Sequence, residues 1–301
     1  MSKHMKDVKN LVEKMGKIEY KLNEPASRHT TFRIGGPISI FAEPADNAEL
    51  ATLIHAAEEM GAPYYVIGNG SNLLVSDDGL DALVIKIGEK MSAVCINDTK
   101  VYAQAGALFC SVAKSSVSAG LKGLEWAAGI PGFVGGAVAM NAGAYGGEIS
   151  RFIKKVTIYK DGEVKNISVS KDDFGYRYSA FSFPGSVVLS AEFELCPDDG
   201  TSKELMEEYN TRRKSKQPLE LPSAGSTFKR PEGHFAGQLI EQAGLKGRRV
   251  GGAMVSSKHA GFIVNAGGAT SDDVIKLIDL VKAEVFNESG IVLEPEIRIL
   301  R

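Results

Sequence analysis

The stretch that decides the fold is YYVIGNGSNLLVSDDG, residues 64–79, in which two apolar runs flank a loop with two glycines. The apolar residues 64–67 are typical of a short strand, and GNGSN follows them directly at 68–72. Glycines that follow a strand let backbone N–H groups close around a phosphate. The stretch therefore predicts a phosphate-binding turn, although the turn alone does not identify the ligand.

Two common phosphate-binding loops do not fit this stretch. The dinucleotide fingerprint G-x-G-x-x-G fails at its third glycine, where Leu73 stands, and no acidic residue follows a second strand as that fold requires. The pattern G-x-x-x-x-G-K-[ST] occurs nowhere in the chain, which excludes a P-loop NTPase. The phosphate must belong to another class of ligand.

A second glycine-rich run, GIPGFVGGAVAMNAGAYGG at 129–147, has seven glycines in nineteen residues. A tightly packed turn followed by a small-residue helix would explain one or two of them. We expect a helix over 132–140 whose N-terminal amides stay unpaired and form a second anion site. Two runs with few side chains predict one large, flat, phosphate-bearing ligand that lies against the backbone.

The composition is that of an ordinary soluble protein of two or three domains. The chain has 301 residues, of which 44% are hydrophobic and 24% charged, with a formal net charge of −2. Its first residues lack the apolar run of a signal peptide, and no apolar stretch is long enough to span a bilayer. Three separated cysteines (Cys95, Cys110 and Cys196) predict reduced, mostly buried thiols in a cytoplasmic protein and no metal site.

Hydrophobic periodicity predicts a mixed chain of helices and strands. The predicted helices span 47–60, with Asp46 or Asn47 as N-cap, and then 108–118, 201–218 and 271–287. The predicted strands span 63–67, 82–87, 93–97, 100–104, 153–159, 163–169, 187–195 and 291–300. We expect an N-terminal helical extension over 1–19 and three further parts over 20–95, 96–200 and 201–301.

Positive charge is concentrated between Tyr209 and Arg249, where nine Lys and Arg stand against three Glu. On charge alone a solvated basic face is the simplest interpretation. Nucleic acid is disfavoured because the run lacks interleaved aromatic residues and the whole chain is slightly acidic. A small polyanion such as a diphosphate fits a local basic patch better.

Six motifs in order resemble one known family. Besides the two glycine runs they are TTFRIGG (30–36), GYRYSAF (175–181), PSAGSTFKRP (222–231) and LEPEIR (293–298). The glycine runs resemble the FAD-binding module of vanillyl-alcohol-oxidase-like (PCMH-type) flavoproteins, and the full set resembles the UDP-N-acetylenolpyruvoylglucosamine reductase family. The resemblance implies an α+β fold, with a two-subdomain PCMH-type module (20–95 and 96–200) followed by a smaller α+β domain (201–301) that binds the UDP-sugar.

The resemblance also implies a reaction. The enolpyruvyl ether of UDP-N-acetylglucosamine is reduced to UDP-N-acetylmuramate by NADPH through non-covalent FAD, in cytoplasmic peptidoglycan precursor synthesis. Hydride addition to the double bond places negative charge on the carbon beside the carboxylate. The site therefore needs cationic or proton-sharing groups at the carboxylate and a proton donor at that carbon. We expect a small-molecule substrate, no nucleic-acid or membrane partner, and a monomer.

Three residues carry the catalytic roles that the resemblance implies. Ser226 matches the proton donor, although a turn or N-cap serine is the simpler interpretation of the pattern alone. Arg177 matches the arginine that holds the carboxylate, where a planar permanent cation suits growing negative charge. Glu296 matches a carboxyl on the opposite side of the substrate carboxylate, where a raised pKa would let it share a proton.

The remaining site residues are also carried over from the resemblance. The FAD-binding set is Arg33, Gly68, Asn69, Gly70, Ser71, Asn72, Gly129, Ile130, Pro131, Gly132, Gly135, Gly136, Ala137, Ala139, Asn141, Gly143 and Ala144. The substrate-binding set is Tyr176, Arg212, Lys216, Lys229, Arg230, Gln238 and His259, with Asn265 as a lesser candidate. The chain resembles the shorter family type, which lacks an extra segment with a tyrosine that closes over the nucleotide.

Two other functions remain open at this point. A flavin oxidase of the same fold is one, although such enzymes often attach FAD through His or Cys in the glycine loop and residues 66–75 contain neither. A nucleotide-sugar-binding regulator without catalysis is the other. The presence of Ser226, Arg177 and Glu296 together disfavours it.

Overall fold

The computed structural model describes residues 1–15, 18–183 and 185–301. Within this part of the chain the α-helices are α1 (Lys3–Met15), α2 (Asn47–Glu59), α3 (Phe109–Ser118), α4 (Val134–Ala139), α5 (Ser202–Lys216), α6 (Ala236–Gln242) and α7 (Ser271–Ser289). Short 3-10 turns lie at Ala26–Arg28, Glu89–Met91, Glu125–Ala127, Ile149–Arg151 and Lys171–Asp173. The predicted N-terminal extension over 1–19 includes residues 16 and 17, which lie outside the described residues.

The strands of the described residues are short apart from those of one antiparallel sheet. They are β1 (Tyr20–Pro25), β2 (Pro37–Ala42), β3 (Tyr64–Ile67), β4 (Leu73–Val75), β5 (Leu80–Lys86), β6 (Val94–Asn97), β7 (Lys100–Gln104), β8 (Leu121–Lys122), β9 (Gly143–Ala144), β10 (Gly147–Glu148), β11 (Ile153–Lys160), β12 (Glu163–Ser168), β13 (Phe174–Gly175), β14 (Tyr178–Ser179), β15 (Ser186–Glu194), β16 (Cys196–Pro197), β17 (Arg249–Val250), β18 (Ala253–Val255), β19 (Ile263–Asn265) and β20 (Arg298–Leu300). A five-stranded antiparallel sheet has the order β12-β11-β15-β7-β6, and a four-stranded sheet has the order β1-β2-β5-β3. β17, β18 and β19 form a small antiparallel sheet, and β20 pairs with β4 in parallel.

The chain divides into two compact units. Unit 1 comprises Met1–Lys21, Ile40–Asn69 and Ala82–Arg213, and unit 2 comprises Leu22–Ser39, Gly70–Asp81 and Lys214–Arg301. The division between Asn69 and Gly70 falls inside the first glycine loop. The boundaries near residues 20, 95 and 200 are a different division of the chain and stay a prediction.

Unit 1 has two apolar clusters. In the first, α3, α4 and one face of the five-stranded sheet bury Phe109, Val134 and Phe193, and the Phe109 ring meets Trp126 edge to face. In the second, α1 and α2 pack together with a helical spacing of apolar residues, such as Met5 and Val8 on α1. The first cluster includes Val134, Ala137, Val138 and Ala142 and so anchors the second glycine run.

Unit 2 is built around α7. This helix buries Val274, Leu277, Ile278, Val281 and Val285, at the spacing of three and four residues that places apolar side chains on one helical face. Thr270 and Asp273 form a capping box at its start, and Gly290 ends it in the left-handed region. The cluster around α7 also includes Phe228 and Ile297, which lie in the PSAGSTFKRP and LEPEIR motifs.

Most predicted elements are present in the structure. The helix predicted at 47–60 is α2, and the Asp46 side chain accepts hydrogen bonds from the amides of Ala48 and Glu49. The strand predicted over 291–300 is wrong for most of its length, because only β20 is a strand. Pro295 lies in the middle of the segment and has no N–H to donate, so pairing with Phe228 is reduced to an isolated bridge.

The prediction of mostly buried cysteines is wrong. Cys95 and Cys196 are exposed and Cys110 is half-buried. Cys95 lies on β6, the edge strand of the five-stranded sheet, and Cys196 lies on the two-residue strand β16.

Candidate active site

The start of the first glycine loop meets the second glycine run inside unit 1. The Asn69 side chain donates a hydrogen bond from Nδ2 to the Pro131 carbonyl oxygen at 2.5 Å. A Cβ atom built on Gly68 would lie 3.5 Å from Cβ of Phe133, which is ordinary van der Waals contact. The start of the first loop therefore lies against the start of the second run, as one shared ligand requires.

The second run does contain a helix, but the expectation of unpaired N-terminal amides over 132–140 is wrong. α4 has only six residues, and the amides of Val134 and Gly135 donate to the carbonyl oxygens of Ala107 and Ala105, both at 2.9 Å. Carbonyl oxygens in the backbone after β7 therefore accept from amides that the first turn of a helix otherwise leaves without a partner. An anion site at this end cannot use those two amides.

The glycines of the second run fall into two kinds. At Gly135 a Cβ would lie 2.9 Å from Cβ of Ala105, so the protein's own packing requires glycine there. At Gly136 a Cβ would have nothing within 4 Å, and the backbone is outside the left-handed region that favours glycine. Nothing in the described part of the protein requires glycine at Gly136. A flat backbone surface of this kind fits the close approach of a large cofactor such as FAD.

The second half of the first loop is held inside unit 2. Gly70 has a φ of +62°, and a Cβ there would lie 2.0 Å from the His29 carbonyl oxygen. Asn72 donates from Nδ2 to the Glu296 carbonyl oxygen at 3.2 Å, and its own carbonyl oxygen accepts from the Arg298 amide at 2.9 Å. The loop and the LEPEIR motif are therefore adjacent, although more than 200 residues separate them in sequence.

Ser226 is presented at the surface of unit 2 by its buried neighbour. Thr227 is 1% exposed. Its amide donates to the Gly261 carbonyl oxygen, and its Oγ1 accepts from the Ile263 amide at 3.0 Å. The Thr227 carbonyl oxygen accepts from the Glu296 amide at 2.8 Å. This ladder fixes the backbone of Glu296 beside that of Ser226, while the Ser226 side chain stays exposed.

Arg177 lies in unit 1 in a two-residue turn between β13 and β14. Its φ is +54°, in the left-handed region that arginine seldom adopts. The guanidinium donates to the Gly143 carbonyl oxygen at 3.3 Å and lies 5.2 Å from the centre of the Tyr176 ring. The structure thus connects GYRYSAF to the end of the second glycine run.

The basic residues of α5 have different surroundings. Arg212 is exposed and forms an ion pair with Glu208 one turn earlier, and Lys216 is exposed at the end of the helix. Arg213 is half-buried against the second glycine run, where a Cβ on Gly129 would lie 2.6 Å from Cδ of Arg213. Burial lowers the pKa of the Arg213 guanidinium, which still stays charged at neutral pH. Within the described residues Arg213 has no ion pair.

The other predicted substrate residues are mostly at the surface of unit 2. Lys229 forms an ion pair with Glu294, the Arg230 guanidinium lies 4.0 Å from the centre of the Phe235 ring, and Gln238 is exposed. His259 is partly enclosed, and burial lowers its pKa. Its Nδ1 accepts from the Gly261 amide at 3.1 Å, which fixes the neutral ring with its proton on Nε2.

A cavity of about 550 Å³ lies in unit 1 at the end of the second glycine run. Its lining residues are Lys122, Gly123, Glu125, Trp126, Tyr145, Gly146, Gly147, Arg151, Phe152, Cys196, Pro197, Asp199 and Tyr209. None of them is among the predicted site residues, and the Tyr145 and Tyr209 rings stack on each other with centres 4.7 Å apart. We assign this cavity no ligand.

Comparison with known proteins identifies the family. Residues 217–300 match the family described as UDP-N-acetylenolpyruvoylglucosamine reductase, C-terminal domain, and residues 38–168 match the family described as FAD binding domain. The UDP-N-acetylenolpyruvoylglucosamine reductase of Clostridioides difficile (strain 630) is 44% identical over 97% of this chain and 96% of its own. That of Alkaliphilus oremlandii (strain OhILAs) is 47% identical over 93% and 92%. The chain belongs to the UDP-N-acetylenolpyruvoylglucosamine reductase family.

A solved structure of the family agrees with this assignment. The crystal structure of UDP-N-acetylenolpyruvylglucosamine reductase from Thermus caldophilus superposes with a TM-score of 0.80 at 35% identity, over 95% of this chain and 99% of that one. The predicted α+β fold, with an FAD-binding module followed by a reductase C-terminal domain, is confirmed.

One feature of this reductase-family chain was missed from sequence. Arg212 and Arg213 are neighbours on a helix, so their side chains point about 100° apart and only one can face the second glycine run. Because α5 has little amphipathic character, the sequence did not indicate which arginine that is. The Tyr209 ring stacks on Tyr145, which lies in the second glycine run. Arg213 follows Tyr209 by four residues and therefore lies on the same face of α5, so this contact would have pointed to Arg213.

Proposed function

We infer that the chain is an FAD-dependent reductase that uses NADPH to reduce UDP-N-acetylenolpyruvoylglucosamine to UDP-N-acetylmuramate. The observation that carries this function is the set of hydrogen bonds that join Glu296 to Thr227, the neighbour of Ser226, and to Asn72. They occur in a chain that matches the reductase family along nearly its full length. Neither a flavin oxidase nor a non-catalytic regulator is favoured, since the relatives are named as reductases.

FAD, when bound, supplies the hydride that it has taken from NADPH. We propose that backbone amides of residues 68–72 and 129–136 hold its pyrophosphate. Pro131 has no N–H, and the amides of Ile130, Val134 and Gly135 already donate to backbone carbonyl oxygens, so these four residues do not take part. Gly68 and Gly136 support this assignment, because the protein's own packing does not require glycine at either position. Arg213 adds a half-buried positive charge beside Gly129, which favours an anionic group at the same run.

The catalytic roles follow from the charges that the reaction develops. Arg177 binds the substrate carboxylate and stabilises the negative charge that spreads into it. Glu296 shares a proton with the same carboxylate, and Ser226 donates a proton to the adjacent carbon. The exposed hydroxyl of Ser226 and its left-handed neighbour Gly225, at φ +78°, leave room for a substrate to approach.

The remaining predictions extend this function. Arg212 and Lys216 contact the diphosphate of the nucleotide sugar, with Tyr176, Lys229, Arg230, Gln238 and His259 as further substrate contacts. The enzyme acts as a monomer in the cytoplasm, without nucleic-acid or membrane partners. No helix in the described part of the chain is long and apolar enough to cross a membrane.

The function is tested with the purified wild-type protein under anaerobic conditions. We expect a yellow protein that NADPH bleaches and that UDP-N-acetylenolpyruvoylglucosamine then restores to yellow, with UDP-N-acetylmuramate as the product. Recovery of colour with oxygen but not with the enolpyruvyl substrate would indicate an oxidase. A colourless protein that binds the nucleotide sugar would indicate a regulator.

A further inference from the structure

We propose that Asn141 is a positioning residue for Arg177: its side chain holds the turn that carries the arginine against the end of the second glycine run. The inference rests on the carboxylate role proposed for Arg177 above. It assigns to Asn141 a task in the substrate half of the reaction, separate from the FAD contact that the family resemblance implies.

The turn of Arg177 needs outside support. Phe174 pairs with Ser179 and Gly175 with Tyr178, which leaves Arg177 as the second of two turn residues, at φ +54°. A position with positive φ in such a turn favours glycine. A residue with a side chain keeps this conformation when its surroundings hold it there, and such strain is common at functional sites.

Asn141 supplies that support with both of its polar atoms. It is 3% exposed; its Nδ2 donates to the Gly175 carbonyl oxygen at 3.0 Å, and its Oδ1 accepts from the Ser150 amide at 3.1 Å. Because the carbonyl can only accept and the amide can only donate, the orientation of the Asn141 side chain is fixed. On the other strand of the turn, buried Ser179 donates from Oγ to the Ala139 carbonyl oxygen at 2.9 Å.

A simpler reason for asparagine at this position makes a different prediction. Asn141 has a φ of +43° and follows α4, whose C-cap is Met140, and asparagine often takes the left-handed conformation just after a helix. If that were its whole role, glycine would serve equally well. Asn141→Gly therefore keeps the backbone and removes only the side-chain bonds.

The test compares two ligands that differ by a lactyl ether group, so that only one of them carries a carboxylate. UDP-N-acetylmuramate carries the lactyl carboxylate and UDP-N-acetylglucosamine does not, so calorimetry on the FAD-loaded enzyme isolates that contact. We expect Asn141→Gly to weaken the binding of UDP-N-acetylmuramate by about fivefold to tenfold, which corresponds to roughly one hydrogen bond. The binding of UDP-N-acetylglucosamine should weaken by less than about twofold. With FAD held at saturation, reoxidation of the variant by the enolpyruvyl substrate should slow.

Matched variants separate the positioning role from the role of Arg177. Arg177→Ala should show the same selective loss, and adding Asn141→Gly to it should cause no further loss. Asn23→Gly, at another left-handed asparagine (φ +52°), is the backbone control and should change neither affinity. Asn141→Asp keeps the acceptor and loses the donor, so it should reproduce the selective loss if Asn141→Gly does not fold.

The inference is overturned if Asn141→Gly and Asn141→Asp weaken the binding of both ligands equally, or if Asn141→Gly causes a further loss when it is added to Arg177→Ala. Selective loss in Arg177→Ala without any in the Asn141 variants would reject only the positioning role. Absence of selective loss in Arg177→Ala would reject the carboxylate role of Arg177 on which the inference rests.

Discussion

Two neighbouring arginines show how the site depends on single residues. Arg213 is half-buried beside Gly129 without an ion pair in the described structure, whereas Arg212 is exposed and paired with Glu208. A charge that is removed from water interacts more strongly with a nearby anion than an exposed charge does. We therefore assign the two side chains to different ligands.

The first prediction concerns these two positions. Arg213→Gln should lower FAD affinity by about one to two decades, the worth of a charge-assisted hydrogen bond of roughly 1.5–3 kcal/mol. Arg212→Gln should leave FAD affinity within about twofold and instead raise the KM for the nucleotide sugar. Fluorescence titration of the apoprotein with FAD and steady-state kinetics measure the two effects. Equal FAD affinity in the two variants would show that Arg213 serves only to pack against Gly129.

The sequence indicates candidate residues for each chemical role, but it does not indicate the contacts that hold those residues in place. The exposure of Ser226 agrees with a residue that meets substrate, and its neighbour Gly225 is left-handed. The bonds that fix these residues are contacts between distant segments, such as the Glu296 amide to the Thr227 carbonyl oxygen. No pattern in either motif alone specifies such a pair, because local propensity carries no information on long-range partners.

At the scale of elements, α4 carries the second prediction. Gly136→Ala introduces a methyl group into open space in a helix, where alanine is favoured over glycine by about 0.5–1 kcal/mol. The apoprotein should therefore be slightly more stable, yet FAD affinity should fall by about tenfold or more, since the methyl group enters the surface proposed for the cofactor. Urea unfolding of the apoprotein and FAD titration give the two values.

Gly135→Ala is the matched control for that helix. Its methyl group would lie 2.9 Å from Cβ of Ala105, so this variant should lower the stability of the apoprotein. Unchanged FAD affinity in Gly136→Ala would remove the cofactor from this face of α4.

Elements with strong local signals were predicted correctly. The start of α4 and the segment over 291–300 depend on tertiary contacts, and these two were not. α2 and α7 have clear N-caps and apolar periodicity, and both begin at the predicted residue. The start of α4 depends on carbonyl oxygens of Ala105 and Ala107, about thirty residues earlier in the chain. The segment over 291–300 alternates in sequence, but Pro295 limits its pairing with Phe228 to a single bridge.

For the molecule as a whole, we expect FAD to be released intact when the protein unfolds, because its binding is non-covalent. Residues 66–75 contain neither His nor Cys, and the two glycine runs offer the cofactor mainly backbone. Acid precipitation should therefore transfer all of the yellow colour to the supernatant. Colour that stays with the precipitated protein would show a covalent bond.

The family and fold were readable from the sequence because six motifs occur in one order along the chain. The full-length similarity to the Clostridioides difficile and Thermus caldophilus proteins confirms that interpretation. The individual roles of Ser226, Arg177 and Glu296 stay predictions. Similarity of the whole chain fixes the fold, whereas each role depends on a chemical step that has to be measured.

The most direct test of the central claim is the Ser226→Ala variant followed through its two half-reactions by anaerobic stopped-flow at the flavin absorbance. FAD binding and reduction by NADPH should be unchanged, because that half-reaction protonates no substrate carbon. Reoxidation by the enolpyruvyl substrate should slow by at least the roughly 10²–10⁴-fold typical of one general acid, and Ser226→Cys, a stronger acid of similar size, should recover part of the rate. Reoxidation of Ser226→Ala near the wild-type rate, or a loss confined to the NADPH half-reaction, would contradict the account.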